Sequence, residues 1–183
     1  MSSVEKAVLG GGCFWCVEAV LKDMSGVISA KSGYSGGHVA SPTYQQVCTK
    51  TTGHAEVVEV TFDPSIISYA DLLRIFFTLH DPTTKDRQGE DIGPQYRSVI
   101  FWCNDEQRKT AEAVKAEIEA LKIWDAPLVT ELSPLEHFWP AEAYHDDYFA
   151  RNPTQGYCSA VVAPKVAKMR KLFAARLKDG VAG

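Results

Sequence analysis

The N-terminal fold is decided by the stretch Gly10-Gly11-Gly12-Cys13-Phe14-Trp15-Cys16. Val8 and Leu9 before it are typical of the end of a buried strand, and residues 17–21 after it are typical of a helix. The glycines therefore predict a strand-to-helix turn, where the missing Cβ permits positive φ and close backbone approach. This turn would place Cys13 at the start of the helix.

A cysteine at a helix start lies beside unpaired backbone N–H groups and the positive end of the helix dipole. Both favour the thiolate, which is the nucleophilic form of cysteine, so we expect Cys13 to have a lowered pKa and a reactive sulfur. The alternative is that Cys13 is a small buried hydrophobe, the commonest role of a free cysteine. The glycine turn and a second cysteine three residues later favour a functional Cys13.

Cys13 and Cys16 form a C-x-x-C pair, a pattern found both in zinc sites and in redox-active dithiols. Zinc would need two further ligands at short spacing. The five cysteines and five histidines include no second C-x-x-C and no H-x₃₋₅-H pair. We therefore expect thiol chemistry that uses no metal and no cofactor.

Length and composition predict one globular catalytic domain over residues 1–183, because 45% hydrophobic content in 183 residues is enough for a sizeable core. A formal charge of −4 gives no reason to expect nucleic acid or an anionic membrane as a partner. The N-terminus lacks the pattern of a signal peptide, and no apolar run is long enough to span a bilayer. We expect a cytoplasmic protein, in which an odd number of cysteines argues against a structural disulfide framework.

Residues 55–62 are the clearest strand, and their alternation puts Glu56 on the same face as Val58, Val60 and Phe62. If that face is the buried one, Glu56 ends an apolar stripe and loses its water. Its pKa would then rise, and a protonated carboxyl can serve as a general acid. The alternatives are that the other face points inward, or that Glu56 lies at a solvated strand end.

The element order predicts an α+β fold with a ferredoxin-like split β-α-β core sheet, packed helices and a long irregular C-terminal segment. A further strand is expected at residues 128–132. Residues 38–53 are expected to form a long loop that carries Tyr44. Residues 133–163 are expected to be an extended segment, with Cys158 in a flexible stretch.

Seven motifs occur in order from about residue 10 to residue 158. They are Gly12-Cys13-Phe14-Trp15, Gly33-Tyr34-Ser35-Gly36-Gly37, Pro42-Thr43-Tyr44, Gly53-His54-Ala55-Glu56, His80-Asp81-Pro82-Thr83, Asp91-Ile92-Gly93-Pro94-Gln95-Tyr96-Arg97-Ser98 and Gly156-Tyr157-Cys158. Together they resemble the A-type peptide-methionine sulfoxide reductases, which are specific for the S epimer.

The resemblance implies that Cys13 attacks the sulfur of methionine sulfoxide and that Glu56 protonates the sulfoxide oxygen. It also implies that Phe14 and Trp15 form an apolar wall for the substrate methyl group. Tyr44 and Tyr96 would hydrogen-bond the sulfoxide oxygen, and Asp91 would order the polar side of the site.

In such a reaction Cys13 is left as a sulfenic acid, which a second thiol converts to a disulfide that an external reductant must open. In this family the reductant is usually thioredoxin. Many relatives carry glycine at the position of Cys16 and resolve with a C-terminal cysteine, which corresponds to Cys158. We expect Cys158 to resolve first, with Cys16 either a second relay thiol or the actual partner. Cys48 and Cys103 have no motif support and are expected to be bystanders.

The expected function is thus thioredoxin-dependent reduction of free and protein-bound methionine S-sulfoxide by a monomer, in the repair of oxidised proteins. Two other classes are weighed beside it. A general thioredoxin-like disulfide oxidoreductase would use Cys13 and Cys16 and would need no acid. A non-catalytic module that binds methionine sulfoxide or peptides would keep its function after Cys13→Ser.

Overall fold

The computed structural model describes residues 3–181. The strands are β1 (Glu5–Gly11), β2 (Val27–Ser35), β3 (Ala55–Phe62), β4 (Arg87–Gln88), β5 (Asp91–Ile92), β6 (Ser98–Trp102), β7 (Glu131–Pro134) and β8 (Trp139–Pro140). The helices are α1 (Phe14–Leu21), α2 (Tyr44–Cys48), α3 (Tyr69–Leu79), α4 (Asp105–Ala120), α5 (Tyr148–Arg151) and α6 (Ala163–Leu172).

The main sheet has the strand order β7-β6-β1-β3-β2-β8, and β4 pairs with β5 as a separate short ladder. Its central strands β6, β1, β3 and β2 are antiparallel neighbours. With α1 and α3 as the two crossover helices, they form the split β-α-β arrangement, so the predicted α+β fold class is confirmed. β7 adds to β6 in parallel and β8 adds to β2 antiparallel.

The larger core lies between the helices and one face of the sheet. Val58, Val60 and Phe62 of β3 point into this core, and Glu56 lies on the same face. The opposite face is not simply solvated, because a smaller cluster of five residues is buried there. Its members are Val8, Ala55, Val57, Val99 and Phe101.

Two segments differ from the sequence-based expectation. The predicted loop at residues 38–53 contains the short helix α2, because Thr43 and Gln46 form a reciprocal capping box at its start. The strand expected at residues 128–132 lies at Glu131–Pro134, because that register lets it pair with β6.

Residues 133–163 wrap past β2 and α1 with little regular structure, and they end in a π-helix, Cys158–Val162, that runs into α6. Cys158 is fully buried in the larger core, so the expected flexible stretch is wrong at this residue. Its backbone N–H donates to Gln155 Oε1 at 2.9 Å, which helps to hold it there. Among the helices of residues 3–181, none has the length and apolar character needed to cross a bilayer.

Candidate active site

The turn between β1 and α1 places Cys13 as the N-cap residue of α1, as the glycines predicted. Only Gly12 of the three has a positive φ, at 94°, and a Cβ there would meet Gln88 Cγ at 2.7 Å. Gly10 and Gly11 instead belong to β1 and pair with β6. The sharp turn therefore depends on one glycine.

The Cys13 thiol does not have the lowered pKa that its helix-start position predicted. Burial raises its pKa well above the usual value, and the neighbouring Glu56 and Cys16 raise it further. The backbone N–H of Trp15 acts in the expected direction and lowers the pKa, but it is outweighed. The unliganded site therefore holds a thiol.

Glu56 is buried, with only 1% of its surface exposed. Its Oε1 accepts the backbone N–H of Phe14 at 3.1 Å. Burial raises the Glu56 pKa to about 8, and the nearby Asp91 also raises it. The hydrogen bond from the Phe14 N–H lowers the pKa, but by less than burial raises it. Its buried Oε2 has no hydrogen-bond partner within the described part of the chain. Because Oε1 already accepts a hydrogen bond, the proton of the neutral acid lies on Oε2, where it can be donated to a ligand.

Tyr44 and Tyr96 lie close to Glu56. Burial raises the pKa of both phenols, and the Glu56 carboxyl is the next largest cause in each. Both tyrosines therefore remain neutral hydrogen-bond donors at neutral pH. Tyr44 is held at the start of α2 by Glu142, whose Oε2 accepts its backbone N–H at 2.9 Å and whose Oε1 accepts the Tyr34 hydroxyl at 2.9 Å.

Phe14 and Trp15 form an aromatic surface next to Cys13. Phe14 is buried and packs on His145 with ring centroids 4.9 Å apart. The Trp15 indole stacks on Tyr148 at 3.8 Å with the planes 7° apart. Its Nε1–H donates to His145 Nδ1 at 2.9 Å. Trp15 thus has one face and its N–H group fixed by the C-terminal segment.

Asp91 occupies the polar side of the site. Its Oδ2 accepts the hydroxyl of Tyr157. Burial raises the pKa of Tyr157, and Cys13 and Cys16 are the next causes, so this phenol lies near both sulfurs. Asp91 is therefore linked to the Cys16 thiol through Tyr157, which hydrogen-bonds with Cys16.

The two candidate resolving thiols are both buried. Burial raises the Cys16 pKa to about 11, while Lys165 and a hydrogen bond with Tyr157 lower it. Cys158 is also close enough to raise the Cys16 pKa, as Cys16 does for Cys13. Cys16 therefore interacts with both other sulfurs. Cys48 and Cys103 are exposed.

The sequence interpretation assigned no role to His145, Tyr148, Glu142 or the side chain of Tyr157. For the first three, the signal was the density of aromatic and charged residues after position 133, which does not say which side chain meets which; Tyr157 stood in the last motif, which gave its side chain no role. All four reach the site through contacts more than 60 residues away in the chain, such as Trp15 with His145 and Asp91 with Tyr157.

This arrangement joins a half-buried thiol, a neutral carboxylic acid, two phenol donors and an aromatic wall. Such a set can bind a small polar oxygen beside an apolar group, attack the atom that carries the oxygen and protonate the oxygen as it leaves. Within residues 3–181, no group of three or more His, Cys, Asp or Glu side chains could hold a metal ion.

Comparison with known proteins gives a consistent result. The family model of peptide methionine sulfoxide reductase matches residues 5–177. The chain is 60% identical over 178 residues to a peptide methionine sulfoxide reductase MsrA of Granulibacter bethesdensis, covering 97% of this chain and 96% of that one. It is 57% identical to MsrA of Saccharolobus solfataricus, covering 96% and 98%. The structure is similar to reduced Mxr1 from Saccharomyces cerevisiae, with a TM-score of 0.80, 32% identity and coverage of 85% and 89%.

The raised pKa of Glu56 predicts a pH-dependent cost to stability. Between about pH 4.5, the ordinary carboxyl pKa, and about pH 8, the unfolded carboxyl has lost its proton while the folded one keeps it. The unfolding free energy therefore falls as the pH rises through this window. Glu56→Gln removes the ionisable group, so urea unfolding should show the variant gaining stability relative to wild type between pH 5 and pH 8. A constant difference across that range would contradict the raised pKa.

Proposed function

The chain belongs to the peptide methionine sulfoxide reductase family, and from that premise we propose how its own residues reduce methionine S-sulfoxide. The enzyme returns methionine sulfoxide to methionine, the reaction that repairs oxidised proteins under oxidative stress. The observation that carries the residue assignment is the pairing of Cys13 with a buried, neutral Glu56 whose Oε2 is unpartnered.

Substrate binding uses the two sides of the site. The sulfoxide oxygen accepts hydrogen bonds from Glu56 Oε2 and from the hydroxyls of Tyr44 and Tyr96. The methyl group lies against Phe14 and Trp15, where it is removed from water. With the oxygen and the methyl group fixed, only one epimer presents its sulfur to Cys13.

The chemical step balances without an external proton. Cys13 attacks the substrate sulfur while Glu56 protonates the oxygen, and the Glu56 carboxylate then takes up the proton that Cys13 loses. The attack forms an S–S bond between Cys13 and the substrate sulfur as the S–O bond of the substrate breaks. The protonated oxygen then adds to the Cys13 sulfur, forming its S–O bond, while the S–S bond breaks. Methionine leaves, and Cys13 is oxidised to the sulfenic acid Cys–SOH.

We propose that Cys16, the alternative left open by the sequence, is the first thiol to attack this sulfenic acid, in place of the Cys158 that we expected from the sequence. Cys13 is the N-cap residue of α1, and Cys16 is the third residue of that helix, close enough to raise the Cys13 pKa. Attack by Cys16 forms the Cys13–Cys16 disulfide and releases water, and the buried Cys158 can then exchange with Cys16.

An external dithiol must open the final disulfide, and we propose thioredoxin. Yeast Mxr1, which is similar to this chain, has been solved in complex with Trx2. We also propose a monomer with one catalytic domain over residues 1–183, because one hydrophobic core packs against the main sheet beside Cys13 and Glu56. A cytoplasmic location is proposed because five cysteines without a disulfide framework suit a reducing compartment.

The function is tested with the separated S and R sulfoxides of N-acetylmethionine and dithiothreitol as reductant. Wild type should consume only the S epimer, because the mirror-image sulfur would turn its methyl group toward the polar side. Cys13→Ser should consume neither. If wild type consumed neither epimer, the general disulfide oxidoreductase would become the better assignment.

The acid role of Glu56 predicts a slow Glu56→Gln variant. Loss of a positioned general acid typically costs about 10² to 10⁴ in rate, and we expect a loss in that range for sulfenic acid formation in a single turnover. The wild-type rate should fall above about pH 8, as Glu56 loses its proton, and the variant should lack that limb. Glu59→Gln, on the other face of β3, is the matched control and should leave the rate unchanged. A variant as fast as wild type would exclude Glu56 as the acid.

The order of the thiols is tested by single-turnover oxidation of two variants. Cys16→Ser should accumulate a Cys13 sulfenic acid that dimedone traps, whereas Cys158→Ser should form the Cys13–Cys16 disulfide at the wild-type rate. Cys103→Ser, at an exposed cysteine whose neighbours are Lys6 and Glu59, is the control. Rapid formation of a Cys13–Cys158 disulfide in Cys16→Ser would restore the order that the relatives suggested.

A further inference from the structure

The side of the proposed substrate site that contains Trp15 is formed with residues 143–151, a segment with little regular structure. His145 and Tyr148, which bond and stack on Trp15, belong to one 3₁₀ turn and one four-residue helix. Between them Asp147 has a left-handed backbone, with φ at 51°, which is unfavourable for a residue with a side chain. Helices this short gain little stability from their own hydrogen bonds. Tertiary contacts must therefore fix the segment.

Glu18, a buried side chain, makes one of these contacts. It lies one turn after Trp15 on α1 and is only 4% exposed. Its Oε1 accepts the backbone N–H of Asp147 at 3.0 Å, and its Oε2 accepts the Ser32 hydroxyl of β2 at 3.2 Å. One side chain thus joins α1, the main sheet and the start of α5.

The hydrogen bond from the Asp147 N–H to Glu18 affects the position of the Trp15 side chain. The Asp147 N–H lies between His145 and Tyr148 in the chain, so its position fixes both groups that hold the indole. Lys22 also reaches Asp147, with Nζ 2.6 Å from Oδ1, but that carboxylate is 59% exposed, and exposed ion pairs contribute little. The buried bond from Glu18 is the stronger constraint.

We propose that Glu18 is a positioning residue that sets the size of the group accepted on the substrate sulfur. It acts through Asp147 on His145 and Tyr148, and through them on Trp15, without touching substrate. The inference rests on the proposed function, in which Trp15 forms the wall for the methyl group. When Glu18 no longer holds the segment, the wall loosens, binding of the methyl substrate weakens and a larger group is less strongly excluded.

The test compares the S-sulfoxides of N-acetylmethionine and N-acetylethionine, which differ by one CH₂ on the sulfur-bound group, with dithiothreitol as reductant. Glu18→Leu keeps the bulk but has no acceptor for the Asp147 N–H. We expect its KM for the methyl substrate to rise about tenfold and its methyl-over-ethyl preference in kcat/KM to fall about tenfold, with kcat changed less than about twofold. Glu18→Asp, which is too short to reach both partners, should shift in the same direction and serves if the leucine variant does not fold.

Three controls separate positioning from stability. Glu18→Gln should keep the wild-type methyl-over-ethyl preference, because the carbonyl oxygen of the glutamine side chain can still accept the Asp147 N–H. Ser32→Ala and Lys22→Met each remove a different contact and leave the Asp147 bond intact, so they should also keep the preference. Thermal unfolding is measured for all variants, and kinetics are recorded well below each transition.

The outcomes are distinguishable. A Glu18→Leu or Glu18→Asp variant with lowered thermal stability but unchanged KM and preference would show that Glu18 is only structural and would overturn the proposal. A wild type that consumes neither substrate would reject the proposed function, and this inference with it. A preference lost equally in Glu18→Gln would show that the carboxylate charge, and not the bond to Asp147, is responsible, and would also overturn it.

Discussion

A single buried hydrogen bond, from the Phe14 N–H to Glu56 Oε1, joins the two halves of the reacting site. It connects the first turn of α1 to β3, which adjoins β1 in the sheet. It also satisfies one oxygen of a carboxyl that would otherwise be very costly to bury and leaves the other oxygen free. The position of Cys13 and the protonation state of its acid thus depend on the same contact.

Burial acts on both reacting groups and explains their neutral resting state. It raises the pKa of the Cys13 thiol and of the Glu56 carboxyl, so a proton is present on each when no ligand is bound. The helix start would favour a thiolate in an open site, but here desolvation outweighs it. A neutral pair costs less to bury than two anions, and it carries the proton that our proposed mechanism gives to the leaving oxygen.

The rest of the site is held by two carboxylates, the buried Glu18 and the half-buried Glu142, that bridge the C-terminal segment to the core. Glu142 joins this segment to Tyr34 and Tyr44, while Glu18 joins it to Ser32 through the Asp147 backbone. The segment has little regular structure to supply these hydrogen bonds internally. The carboxyl oxygens of Glu18 and Glu142 therefore take the place of the backbone hydrogen bonds of a helix or sheet. These bonds set the geometry around the aromatic side chains of the site.

The sequence by itself determined the local features. The glycine turn and the alternation of β3 are short-range properties, so they predicted the helix start at Cys13 and the shared face of Glu56, Val58 and Val60, while the element order predicted the split β-α-β core. Tertiary structure alone decided what long-range contacts control. It buried Cys158 where a flexible stretch was expected, raised the Cys13 pKa against its helix position and brought Glu18 to Asp147. Desolvation and packing depend on the whole fold around a group, and no local pattern in the chain encodes them.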